Sequence, residues 1–379
     1  MIVRCFAFTA VLLLVTIPLS FSVASEPTSV DTDKTSLVKD WLDNKPEDRG
    51  EYPVDKLNKQ ESEAIAKLLW NDYETREKKA RAEEWKAKVI KLDDVEMKFD
   101  FKIFGDKPAT GRSLYISMHG GGGTRAAVNE QQWKNQINLY KPEEGVYLAP
   151  RSPTDTWNMW HRDHIDKFFQ RVIENAILFE GVDSNRVYLL GYSAGGDGVY
   201  QLAPRMADSL AAAAMMAGHP NGASPRSLRN IGFTLHMGGK DKAYKRNQIA
   251  RKWKTKLAEL READPDGYEH EVVIHEEFGH WMKRKDAVAI PWMAKFTRNP
   301  NPKKIVWRQS GVTHEDFYWL RQPEGTAKAG SEITVVKKGQ NFAVESATGM
   351  EKIAFYLNDE VIDLDQPVTI QFGEEKSQH

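Results

Sequence analysis

The sequence is poor in cysteine: one in 379 residues. A single thiol forms neither an internal disulfide nor a multi-cysteine zinc site. It also lacks a dominant charge. Fifty-three basic residues against 54 acidic ones leave a formal net charge of −1, which supplies no electrostatic footprint for nucleic acid or an anionic membrane. Beyond the N-terminus no window approaches the roughly 18 apolar residues of a membrane span. No internal repeat and no low-complexity tract is present. A hydrophobic content of 41% with 10% aromatics argues against a wholly disordered chain and allows a sizeable core.

The N-terminus is the one long apolar stretch. Met1 to Arg4 carry a single positive side chain, residues 5–21 are apolar, and Ser22-Val23-Ala24 places small residues before a cut after Ala24. This is the layout of a secretory signal peptide, expected over 1–24. An uncleaved anchor is the alternative. Cys5 lies at the start of the apolar run, which excludes a lipoprotein site, and it would leave with the leader. The expected compartment is therefore extracellular or periplasmic, with no membrane span left after cleavage.

Residues 25–96 are dense in charge. Pro27, Pro46, Gly50 and Pro53 mark an irregular tether, and Leu57, Ile65, Leu68, Leu69, Tyr73, Ala80 and Trp85 form a loose apolar stripe. One or two amphipathic helices lying on a larger domain are expected. Over 97–298 short apolar runs alternate with helical ones. Strands are predicted at 97–104, 113–118, 145–149, 186–190, 211–216, 233–237 and 271–275, and helices at 163–179, 196–206, 246–262 and 281–295. Pro204 and Pro291 mark breaks or kinks. This alternation predicts an α/β domain with a mostly parallel sheet. Asn299-Pro300-Asn301-Pro302 reads as a linker. Short strands then follow at 304–308, 316–320, 332–337, 341–345, 352–357 and 368–372, predicting a small antiparallel β-domain over 303–379.

The strongest chemical signal is Gly191-Tyr192-Ser193-Ala194-Gly195-Gly196. It follows an apolar run and precedes a helical pattern, the context in which Gly-x-Ser-x-Gly lifts a serine hydroxyl above a sheet on a strained turn. Upstream, His119-Gly120-Gly121-Gly122-Gly123 follows a predicted strand. N–H groups of Gly121 or Gly122, with that of Ala194, would hold the oxyanion of a tetrahedral intermediate. His119 is expected to orient this loop. A phosphate cradle is a poor reading, because Thr124-Arg125 follows the glycines rather than Gly-Lys-Ser/Thr.

A serine nucleophile needs a base, and the base needs an orienting acid. His280 follows the last predicted strand of the α/β region, and Asp241 follows the preceding one. The order Ser193, Asp241, His280 places each beyond the carboxyl end of a strand, where open parallel sheets build their sites. Among other acids, Asp197 would point away along a helix, and Asp264 and Asp266 lie at the opposite end of the sheet. His236 and His275 read as packed strand residues, and His219 and His270 as surface or supporting ones. His275 and His280 superficially resemble a zinc-binding pair, but five positions on a helix put the imidazoles about 140° apart. His161 and His164 read as surface residues near a helix start. Neither a metal nor another cofactor is expected.

These residues resemble an α/β-hydrolase. With the lead Val182-Asp183-Ser184-Asn185-Arg186-Val187-Tyr188, residues 97–298 are similar to secreted polyhydroxybutyrate depolymerases and feruloyl or acetylxylan esterases. The resemblance implies a secreted serine hydrolase that cleaves carboxylic esters through an acyl-enzyme. Little room for a lid exists over 217–230, so an open cleft for a polymer-linked or polysaccharide ester is expected. Trp157, Trp160, Tyr192 and Trp281 are candidates to line it; the other reading makes them core aromatics. Peptidases of the prolyl-oligopeptidase type share a similar elbow. A non-catalytic glycan-binding protein is the remaining alternative.

Overall fold

The computed structural model describes residues 33–55, 57–373 and the backbone of 375–378. The expected leader at 1–24, Cys5 included, lies outside the described residues. No helix among the described residues is long and apolar enough to cross a membrane.

Two helices precede the sheet. Helix α1 (Lys34–Asp43) is capped by Asp33, whose carboxylate accepts from the Thr35 N–H at 3.0 Å. Helix α2 (Lys59–Ala87) opens on a reciprocal capping box between Asn58 and Glu61. It closes on Lys88 in the left-handed region. Its stripe buries Ile65, Tyr73 and Trp85, and Trp85 stacks on Phe101 and Phe179. Arg81, 4% exposed, pairs with Glu174 at 2.7 Å across this contact.

The central sheet follows. Its strands are β1 (Val89–Leu92), β2 (Val95–Phe104), β3 (Arg112–Met118), β4 (Gly145–Pro150), β5 (Val182–Tyr192), β6 (Ala212–Met216), β7 (Gly232–Gly238) and β8 (His270–His275). They lie in the order β1-β2-β4-β3-β5-β6-β7-β8. β1 and β2 pair antiparallel, as do β2 and β4; from β4 to β8 every pairing is parallel. Helices α3 (Ala126–Gln136), α4 (Asp163–Glu180), α5 (Ala194–Arg205), α6 (Arg246–Ala263) and α7 (Ala289–Met293) fill the crossovers and the exit. β3, β4, β6 and β7 are almost wholly buried, as a sheet covered on both faces requires.

Several elements differ from expectation. β1 falls in the stretch read as helical extension, where four residues before the Asp93-Asp94 turn are too short to announce a strand. Helix α3 was not foreseen, because its sequence AAVNEQQWKNQ is polar around most of its circumference. The helix predicted over 281–295 shrinks to a 3₁₀ turn at Lys285–Val288 and to α7. Lys283 and Arg284 adopt positive φ and break its first turn.

The C-terminal strands are β9 (Lys304–Arg308), β10 (Asp316–Phe317), β11 (Leu320–Arg321), β12 (Glu332–Lys338), β13 (Asn341–Thr348), β14 (Ala354–Phe355), β15 (Thr369–Phe372) and β16 (Glu375–Gln378). They form one sheet in the order β16-β15-β13-β12-β9 and another in the order β10-β11-β14. Pairing is antiparallel except between β13 and β15, which run parallel. The single strand expected at 316–320 is a tight hairpin, because Tyr318 takes a φ of 55°. Trp307, Phe317 and Trp319 belong to the same buried cluster as Ile116 and Leu189, so the two sheet systems share one core. The segment 299–302 is pinned: the Trp319 indole N–H donates to the Pro302 carbonyl at 3.1 Å.

Candidate active site

Ser193 sits between β5 and α5 with φ 58° and ψ −118°, a conformation that costs a non-glycine residue free energy. The neighbours make it possible. A Cβ on Gly191 would lie 2.3 Å from the Gly195 carbonyl oxygen, and one on Gly195 would lie 2.1 Å from that of Met118. Only glycine fits at either position. The Ser193 N–H donates to the Met216 carbonyl at 2.9 Å, which ties the turn to β6.

Asp241 lies in the tight loop after β7. Its N–H donates to the Gly238 carbonyl, and its own carbonyl accepts from the Asn247 N–H, both at 3.0 Å. The residue is 3% exposed. His280 lies in the loop after β8. Its Nδ1 is 2.6 Å from Asp241 Oδ2, and its Nε2 is 2.9 Å from Ser193 Oγ. Three residues distant in sequence thus form one hydrogen-bonded chain at the carboxyl edge of the parallel strands. With Nδ1–H donating to Asp241, Nε2 is left to accept the serine proton.

The glycine loop after β3 supplies the opposite wall. Gly120 packs on Ser193: a Cβ there would meet Ser193 Cβ at 3.2 Å. Gly120 and Gly121 border the cavity over Ser193. Ala194 begins α5, where N–H groups lack intrahelical acceptors. Gly122 must be corrected. Its N–H donates to Asn129 Oδ1 at 2.8 Å, and its Cα faces the backbone of Thr156 and Trp157. Its N–H is therefore engaged away from Ser193, and of the N–H groups expected from the sequence those of Gly121 and Ala194 remain as candidates.

His119 is fully buried. Burial pushes its pKa down to about 4, so the ring is neutral. Its Nδ1 is 2.6 Å from the Gly120 carbonyl oxygen, and its Nε2 accepts from the Ser152 N–H at 3.1 Å. It orients the loop and has no geometry for acting as the base of Ser193. His236, also buried, is pushed down to about 3 by burial and by His275. It lies 3.2 Å from His275 inside the strand layer.

The cavity over Ser193 measures about 530 Å³. Trp281 and Tyr192 form one side. Gln132, Asn135, Gln136 and Leu139 form another. Sequence reasoning missed this second group, since α3 has no clear apolar periodicity. Of the proposed cleft aromatics, Trp281 is 50% exposed and Trp157 62%. Trp157 stands outside the cavity, beside Gly122 and Gly123. Trp160 is a correction: it is fully buried, and its indole N–H donates to the His119 carbonyl at 3.0 Å, so it belongs to the core. Tyr192 borders the cavity, but its hydroxyl is engaged elsewhere, donating to the His280 carbonyl at 2.6 Å.

Strand order, elbow and the placement of these residues define an α/β-hydrolase fold. No protein-family model and no curated protein matches the sequence. Solved structures with similarity include a feruloyl esterase module from Clostridium thermocellum in complex with sinapinate, at 13% identity and a TM-score of 0.41, covering 55% of this chain and 86% of that one. A thermostable esterase matches at 17% identity and a TM-score of 0.40 over 55% of this chain, which spans 62% of that esterase. A Bacillus cereus carboxylesterase matches at 18% identity and a TM-score of 0.38, covering 52% and 94%.

Proposed function

We propose that this protein is a serine hydrolase acting on carboxylic esters. The observation that carries this reading is the continuous chain from Ser193 Oγ through His280 to the buried Asp241 carboxylate. Ser193 attacks the ester carbonyl while His280 takes its proton. His280 then donates that proton to the leaving alcohol, leaving an acyl-enzyme. Asp241 holds the imidazole tautomer and stabilises its charged form. The N–H groups of Gly121 and Ala194 stabilise the oxyanion. Water, activated by the same histidine, releases the acid.

The substrate half of the proposal is a bulky or polymer-linked ester. Supporting it are the cavity over Ser193, the exposed Trp281 that lines it, and the exposed Trp157 beside Gly122 and Gly123. Export is part of the proposal and rests on the residue pattern over 1–24 alone. The test is Ser193→Ala in purified protein. Hydrolysis of a short-chain nitrophenyl ester should fall to background, together with labelling by a fluorophosphonate; persistence at the wild-type rate sinks the assignment. A peptide-amide panel beside the esters separates an esterase from a peptidase.

A further inference from the structure

The base of this site hangs on a loop that the sheet itself does not hold near the nucleophile. In the sheet order, β8 is three strands from β5, or about 14 Å at the usual strand spacing. His280 must therefore be carried back across the sheet by residues 276–279, and the chain stays irregular beyond it, with Lys283 and Arg284 at positive φ. One side chain bridges the gap directly. Tyr192 is the last residue of β5 and the immediate neighbour of Ser193. Its hydroxyl donates to the His280 carbonyl at 2.6 Å and accepts from the Met282 N–H at 3.0 Å. The two bonds grip the backbone on both sides of Trp281. The ring is 7% exposed and packs in a cluster with Met282 and Met216, so the hydroxyl is fixed by its surroundings. A second tie lies further along, where the buried Asp286 carboxylate accepts from the Tyr140 hydroxyl.

We propose that Tyr192 is the positioning residue for the general base, locking the His280 backbone to the strand that carries the nucleophile. This rests on the serine hydrolase reading. Both members of the Ser193–His280 pair then hang from consecutive residues, Tyr192 at the end of β5 and Ser193 just beyond it, and their separation is set by one rigid aromatic side chain. A phenylalanine at 192 keeps the ring against the cavity but releases the loop and takes this partner from the buried Met282 N–H and the part-buried His280 carbonyl.

The experiment is a double-mutant cycle of Tyr192→Phe and His280→Ala, read with a short-chain nitrophenyl ester and with the fluorophosphonate labelling rate constant. A non-exchanging misfolded fraction lowers the amount of protein labelled but not that rate constant. Tyr192→Phe alone should lower kcat and the labelling rate about ten- to a hundredfold, the usual effect of a small misplacement of a catalytic group, with KM changed less than about twofold. In the His280→Ala background, whose residual activity comes from the oxyanion hole and binding, the same substitution should cost nothing further. The inference is overturned if Tyr192→Phe keeps the wild-type kcat. It is equally overturned if KM alone rises, or if the loss is as large without His280. Absence of both ester hydrolysis and labelling in the wild-type protein would remove the serine hydrolase reading and this inference together.

Discussion

The Gly122 N–H donates to the side-chain oxygen of Asn129 at 2.8 Å, so the glycine loop beside Ser193 is anchored to α3. Asn129 is fully buried, and its own Nδ2 donates to Asp155 at 2.8 Å. Asp155 is in turn paired with Arg151. Asn129→Ala should free the loop and leave the Gly122 N–H unpaired. One oxyanion donor out of place costs about 10²–10³ in kcat, and loss of the support alone should cost about tenfold or more. Steady-state kinetics on a nitrophenyl ester would check this; an unchanged kcat would mean that the loop holds its shape without α3.

His119 predicts acid sensitivity. Its ordinary pKa is about 6.5, and burial lowers it to about 4 in the folded state. The unfolded chain therefore binds a proton in a range where the folded protein does not. The stabilising contribution is complete above about 6.5 and is lost as pH falls toward about 4, on the order of 3 kcal/mol in all. His236, pushed down to about 3, acts in the same direction. Thermal unfolding between pH 8 and pH 4 should show a falling Tm. His119→Gln should start lower at neutral pH and fall less steeply.

Trp281 is half exposed and packs on Tyr192 with ring centroids 5.5 Å apart. If the rim binds flat groups, Trp281→Ala and Trp157→Ala should raise KM several-fold for aryl or polymer-linked esters, matching the 0.5–1.5 kcal/mol of a typical aromatic pair. The same variants should leave short-chain esters near wild type. Equal effects on both substrate classes would assign the tryptophans to loop structure.

Asp166 is the buried anchor between the sheet systems. Its oxygens accept from Arg205 at 2.7 and 2.6 Å, and His314 from the C-terminal region lies at 3.2 Å. Asp166→Ala strands a guanidinium whose side chain is 2% exposed. The expected cost is about 3–5 kcal/mol, read as a lowered denaturation midpoint. The control is Asp264→Ala, which breaks the more exposed ion pair with Arg229 and should cost less.

Much of this arrangement was readable from residues alone. β3, β4 and β5 announce themselves as apolar runs, and the elbow does so through glycines that no other residue can replace. Asp241 and His280 are legible because each follows an apolar strand in the order such a site requires. Helix α3 was not legible: its contacts are polar, and only the folded chain shows Asn129 buried beneath the loop. Trp160 and Trp281 look alike as letters, yet one is fully buried and the other half exposed. The difference depends on what packs against each, which no local pattern encodes.

Local sequence determined the strained turn at Ser193, the alternation of strands and helices, and the edge of the sheet at which Ser193, Asp241 and His280 lie. These are short-range consequences of backbone sterics and side-chain periodicity. Tertiary structure alone decided which N–H groups stay open, with Asn129 claiming Gly122. It also decided that His280, in the loop after a strand remote from β5, meets Ser193, with the Tyr192 hydroxyl bonded to the His280 carbonyl. Those are long-range hydrogen bonds, set by where distant segments meet.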